Sequence, residues 1–239
     1  MRAYSWLIGT LIWSGGLGVA GRVLPGVVTD PGPGHRLQSG STLQFALAFV
    51  GFFLPLLVLG LRLAGPIDAM PARIFAAAGV TLVVAAPFEV LVDRAFLVAL
   101  GEPGWVYRVA PLHGGATSAI GVVMWPLYGA FVYLVQKRLK ARPSPPSVFA
   151  RSALGVVEAT VLEVAANLFS LTCFGTWFFY YTAPDVGHYT SFQVAPPYLV
   201  AGWVGTRLLD AVDHVRHPVR LGAAAWALGA LGLALSPAA

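Results

Sequence analysis

The chain has 239 residues and a formal net charge of +5; 57% of its residues are hydrophobic and only 10% charged, against about a quarter in soluble domains. With a mean hydropathy of +0.75 and a single cysteine, Cys173, the composition excludes a soluble enzyme, a disordered tail, a nucleic-acid module and a disulfide scaffold. The expected fold class is all-α, one polytopic transmembrane domain over residues 1–239.

A hydrocarbon core about 30 Å thick needs roughly 20 apolar residues of helix. Seven stretches qualify, near 3–21, 42–64, 72–100, 116–136, 149–173, 192–209 and 219–236. Their apolar runs are continuous and do not alternate, which argues against membrane strands. The first has only Arg2 ahead of it and no small-residue cleavage site before Arg22, so it reads as a retained helix and not as a signal peptide. With seven spans, Arg2, Arg62, Arg73, Lys137, Arg138, Lys140, Arg142, Arg151, Arg207, Arg216 and Arg220 share one side, and only Arg22, Arg36 and Arg108 the other. The positive-inside rule then places the N-terminus in the cytoplasm and the C-terminus outside, in what is expected to be a bacterial cytoplasmic membrane. The basic, proline-containing stretch 137–148 reads as a cytoplasmic linker between two halves, 72–136 and 149–209.

Most acids fall in loops or at span ends. Glu89 and Asp93 in the third span, and Glu158 and Glu163 in the fifth, do not. A carboxyl at mid-membrane costs about 2.5–3.5 kcal/mol on insertion scales, so it usually faces a cavity or a partner. Glu89 and Asp93, four apart, share a helix face. Thr160, Glu163, Asn167 and Ser170 form a polar stripe on the fifth span, and Glu158 lies away from it. Such groups either join helices, pair with Arg94 or Arg207, or do chemistry. An apolar setting favours the neutral acid, which makes an intramembrane carboxyl a proton donor for an apolar substrate.

The surroundings of the two stripes correspond. Glu89-x3-Asp93 leads to Gly104-Trp105-Val106-Tyr107, and Glu163-x3-Asn167 leads to Gly175-Thr176-Trp177 and Tyr180-Tyr181. Each continues into a loop with a histidine and a Thr-Ser pair, His113 with Thr117-Ser118 and His188 with Thr190-Ser191. Each then enters the next span through proline and tyrosine, Pro126-x-Tyr128 and Pro197-Tyr198. This spacing predicts a parallel repeat of spans three–four and five–six, and membrane repeats often place their site at the repeat interface. Trp105, Tyr107, Trp177, Tyr180 and Tyr181 serve either as interfacial anchors or as the walls of a pocket whose ring faces attract a cation.

The proline–aromatic–acid run Ala86-Pro87-Phe88-Glu89, followed by Gly104-Trp105-Val106-Tyr107, resembles the integral-membrane lycopene cyclase domain family over roughly residues 42–210. The Glu-then-Trp spacing is more loosely similar to small integral-membrane terpene cyclases. The paired glutamates of the lycopene cyclase motif are absent at Pro126-Leu127-Tyr128-Gly129 and at Pro197-Tyr198-Leu199-Val200. The resemblance implies an isoprenoid-transforming enzyme, an acid-initiated cyclase or a related isomerase or hydratase, acting on a carotenoid or other terpenoid in the bilayer. Glu89, Glu163 and Asp93 would be its catalytic groups, with Asn167, Trp105, Tyr107, Trp177, Tyr180 and Tyr181 binding substrate. A proton-coupled transporter and a non-catalytic lipid-binding subunit are the alternatives. The histidines are scattered, and neither a phosphate loop nor an Asp-rich diphosphate motif occurs, so no metal and no cofactor are expected. The expected partners are the apolar substrate and membrane lipid.

Overall fold

The computed structural model describes residues 42–66 and 70–237, which are mostly helical. Helix α1 covers Thr42–Ala64, α2 Met70–Leu100, α3 Gly121–Lys140, α4 Val148–Phe174, α5 Ala195–Val212 and α6 Pro218–Ala234. They fall close to the expected stretches from 42 onward; the stretch 3–21 lies outside the described residues. Helices α1, α2 and α4 are long and apolar enough to cross a membrane, and α6 is apolar but only 17 residues long.

Two helices end by the same device. Gly101 follows α2 with φ 81° and its N–H donates to the Leu97 carbonyl at 3.1 Å. Gly175 follows α4 with φ 68° and donates to Leu171 at 3.0 Å. A residue without Cβ enters this left-handed region freely, so each glycine stops its helix at that point.

The chain leaving each of these helices is not irregular, as a purely helical reading expects. It forms short strands: β1 at Trp105–Tyr107, β2 at Pro111–Leu112, β3 at Thr117–Ser118 and β4 at Phe179–Tyr181. Strand β1 pairs antiparallel with β4, and β2 with β3. Strands this short leave no alternation signal in the sequence. Their pairing answers a need the sequence does not show, namely hydrogen-bond partners for buried backbone beyond the helix ends.

Helix α6 lies on α2 at very close range. A Cβ at Gly222 would come within 2.5 Å of the Phe75 ring, and one at Gly229 within 2.5 Å of Leu82. The small residues of the last helix are thus used inside the bundle. On the other flank, phenylalanines of α1 pack onto α4: the Phe45 and Phe174 rings stack at 4.1 Å, and Phe49 meets Phe169 edge-on at 5.9 Å.

Opposite the strands lies an ionic end. Asp213 pairs with Lys137 at 3.1 Å and Lys140 at 2.7 Å, and Asp210 pairs with Lys140 at 2.9 Å and Arg151 at 2.7 Å. Arg73 donates to the Val212 carbonyl at 2.7 Å and also to that of Asp213. Several cations that read as orientation signals therefore also clamp the ends of α2, α3, α4 and α5 together.

Candidate functional site

The strands set the direction of the site's aromatic side chains. Successive residues of a strand point to opposite faces, so Trp105 and Tyr107 of β1 are buried while Val106 is not, and Phe179 and Tyr181 of β4 are buried while Tyr180 is not. The register sets Trp105 opposite Tyr181, Val106 opposite Tyr180 and Tyr107 opposite Phe179.

Each buried tyrosine reaches back to a glutamate on the preceding helix. Glu89, only 7% exposed, accepts hydrogen bonds from the Tyr107 hydroxyl, from Thr117 Oγ1 at 2.6 Å and from Trp125 Nε1 at 3.2 Å. Glu163 accepts from the Tyr181 hydroxyl at 2.6 Å, from Thr190 Oγ1 at 2.9 Å and from the Tyr198 hydroxyl. The Tyr181 and Tyr198 hydroxyls are themselves 2.6 Å apart. The two clusters share their sequence geometry: 18 residues from each tyrosine to its glutamate, 28 and 27 to the threonines, and 36 and 35 to Trp125 and Tyr198. Pro87 precedes Glu89 inside α2 and removes one rung of its hydrogen-bond ladder.

Both glutamates line one cavity of about 490 Å³, a size suited to a small organic molecule. Trp105, Tyr107, Trp125, Tyr128, Phe179, Tyr181 and Tyr198 supply its aromatic walls. Among the described residues that line it there is no lysine, arginine or histidine. Arg207 instead lies over the Trp203 ring at 5.9 Å, and Arg94 is exposed, so neither pairs with a glutamate. Leu91 of α2 and Val200 of α5 line the cavity yet are 69% and 58% exposed, which marks a sideways opening between these helices near the level of Glu89 and Tyr198.

Of the residues singled out from sequence, Glu89, Glu163, Trp105, Tyr107 and Tyr181 converge on the cavity. Asp93 and Asn167 do not line the cavity. Asp93 Oδ1 accepts from the backbone N–H of Gly104 at 2.9 Å and of Trp105 at 3.5 Å, and Asn167 Oδ1 accepts from that of Phe179 at 3.4 Å. Asn167 also donates to the Tyr189 carbonyl at 3.2 Å. The pair anchors β1 and β4 to the helices, each from twelve residues back. Trp177 packs on Tyr189 with ring centroids 5.0 Å apart, and Tyr180 approaches His188 at 6.4 Å; neither lines the cavity. By hydrogen-bond spacing Tyr107 answers to Tyr181 and Trp105 to Phe179, whereas the sequence comparison set Trp105 beside Trp177.

Sequence reasoning did not assign Thr117, Thr190, Trp125 and Tyr198 to the site. The Thr-Ser pairs at like distance from each glutamate were the available signal, while nothing local distinguishes Trp125 from an interfacial anchor. Glu158 is buried away from the cavity lining, and its Oε1 has no hydrogen-bond partner among the described residues. No group of three or more metal-ligating side chains occurs among the described residues. No known protein family, curated protein or solved structure matches the chain.

Proposed function

We propose that this chain is a seven-span membrane enzyme that transforms an isoprenoid by acid-initiated cyclisation or isomerisation in the cavity between its two halves. The observation that carries the reading is the convergence of Glu89 and Glu163, each held by three donors, on one apolar, aromatic-walled cavity. The halves are a parallel repeat in this reading, supported by the matched spacing of the two clusters and by the register of β1 on β4. The basic ends of α3 and α4 face the cytoplasm, following the charge bias of the loops.

In the first step a glutamic acid gives its proton to a substrate double bond. The O–H bond breaks, a C–H bond forms, and a carbocation faces a carboxylate. The hydroxyl and indole donors already in place hold that carboxylate as it forms, as preorganised donors hold an oxyanion. Aromatic faces around it attract the cation, and the apolar lining keeps water away. A second double bond of the substrate then attacks the cation and closes a ring. Loss of a proton to the other glutamate, present as its carboxylate, restores a double bond, and return of that proton to the first carboxylate resets the site, so the product is an isomer and no co-reactant is consumed. Substrate reaches the site from the bilayer through the opening beside Leu91 and Val200.

The test is mass spectrometry of nonpolar extracts from a carotenoid-producing bacterial host with and without the chain. A new product of unchanged mass is the expected result, and one heavier by a water would assign hydration instead. An unchanged profile with carotenoids and with shorter terpenoids supplied to the host would overturn the enzymatic reading.

A further inference from the structure

The cavity is not uniformly apolar along its length. Its lining on α3 runs from Trp125, beside Glu89, to Gln136, and on α5 from Tyr198, beside Glu163, to Thr206 and Leu209. At 1.5 Å per helical residue, the polar positions Gln136 and Thr206 lie roughly 12–16 Å from the acid clusters, toward the ionic end. The cavity is therefore a slot along the helix axes, with acids at one end and two neutral polar side chains at the other.

Those two side chains are unusual in their bonding. Gln136 is 5% exposed; its Oε1 accepts from Arg151 Nη1 at 2.9 Å, which fixes the amide and leaves its nitrogen without a partner among the described residues. Thr206 is 4% exposed, and its hydroxyl has no partner among the described residues either. Both side chains line the cavity, and neither unpartnered atom is sealed from it, so a ligand atom can reach each of them. The guanidinium behind Gln136 is committed to Asp210, with contacts of 3.0 and 2.7 Å, so the cavity meets hydrogen-bond donors here and not the Arg151 charge.

We infer that the substrate is a linear isoprenoid carrying a neutral oxygen head, an alcohol, ester or carbonyl, which accepts hydrogen bonds from the Gln136 amide and the Thr206 hydroxyl. The head fixes the chain lengthwise and delivers its far double bonds to Glu89 and Glu163. A diphosphate head is disfavoured because, among the described residues, no cation lines the cavity, and a plain hydrocarbon leaves both donors unmatched. This assignment rests on the cavity being the substrate site of the proposed function, but it does not require turnover.

The experiment titrates the purified full chain in nanodiscs with farnesol and with farnesane, its hydrocarbon counterpart, and follows the change in tryptophan fluorescence, to which the cavity residues Trp105 and Trp125 contribute. Farnesol is expected to bind about three- to tenfold more tightly than farnesane, the worth of one or two net hydrogen bonds. Thr206→Val and Gln136→Leu should each lower that preference, and together abolish it, without changing farnesane binding. Because Gln136 also receives Arg151, its variant is first checked by thermal melting, and the near-isosteric Thr206→Val decides alone if Gln136→Leu is unfolded. Equal affinity for both probes, or a preference untouched by Thr206→Val, overturns the inference. Glu89→Gln and Glu163→Gln should keep the farnesol preference. Failure of the proposed chemistry therefore reads out separately from failure of head recognition.

Discussion

Trp105 stands opposite Tyr181 across the β1–β4 pair, their rings edge-on with centroids 6.0 Å apart. Through this contact the loop after α2 and the loop after α4 hold one another in register, and the tyrosines beyond it reach their glutamates. Trp105 is also tied by its indole N–H to the Ala116 carbonyl at 2.9 Å. Trp105→Ala is therefore expected to cost about 3–5 kcal/mol. Trp177→Ala, at a half-buried residue outside the cavity that packs on Tyr189, should cost less, about 1–2 kcal/mol. Thermal melting of both variants in detergent decides it, and equal losses would contradict the register.

Replacing either glutamate with glutamine keeps the shape and removes the acid. Glu89→Gln and Glu163→Gln are each expected to abolish product formation while the protein still inserts. Tyr181→Phe, which removes one donor from Glu163, should lower turnover by about 10²-fold. Quantified product in membranes of equal protein content is the measurement. Full activity in both glutamine variants would take the carboxyls out of the mechanism.

The ionic end makes a pH dependence. Burial pushes the Asp213 carboxyl up, but hydrogen bonds from Lys140, Tyr133 and Lys137 together outweigh it and hold the group below the usual carboxylate range. A carboxyl lowered on folding stabilises the fold above its unfolded value, about 3.9, and that contribution fades as pH falls through the lower folded value. Asp213→Asn should cost about 1–3 kcal/mol near neutral pH and nearly nothing at the acid limit. Melting curves of both proteins from neutral to strongly acidic pH would converge; a constant gap would show that Asp213 does not titrate in this way.

The contact between α2 and α6 separates two glycines of the same helix. Gly222→Leu drives a side chain into Phe75 and is expected to cost about 1–3 kcal/mol or more. Gly232, where an added Cβ would meet nothing within 4 Å, should accept alanine with no loss of stability. Melting temperatures of the two variants provide the check.

The helical segments were legible because each rests on a property of consecutive residues: a long apolar run, with charges gathered at its ends. The glutamates were legible for the same reason, since a carboxyl inside such a run is conspicuous wherever the run packs. Asp93 and Asn167 were visible as residues four beyond each glutamate. Their work of holding backbone N–H groups of β1 and β4 was not visible, because those groups arrive from the loops beyond.

What the sequence determined by itself is the apolar helical character, the position of the helices and the presence of Glu89 and Glu163 inside apolar helices. Tertiary structure alone decided which aromatics face them. A three-residue strand pair chooses between Tyr180 and Tyr181 by alternation, and one position of slip would turn every side chain to the opposite face. It also decided that Trp125, Tyr198, Gln136 and Thr206 share a cavity with the acids, because four separate helices must meet before any of them has a neighbour there. Local composition governs what a segment becomes, whereas a site made of long-range hydrogen bonds exists only once the packing that closes it is complete.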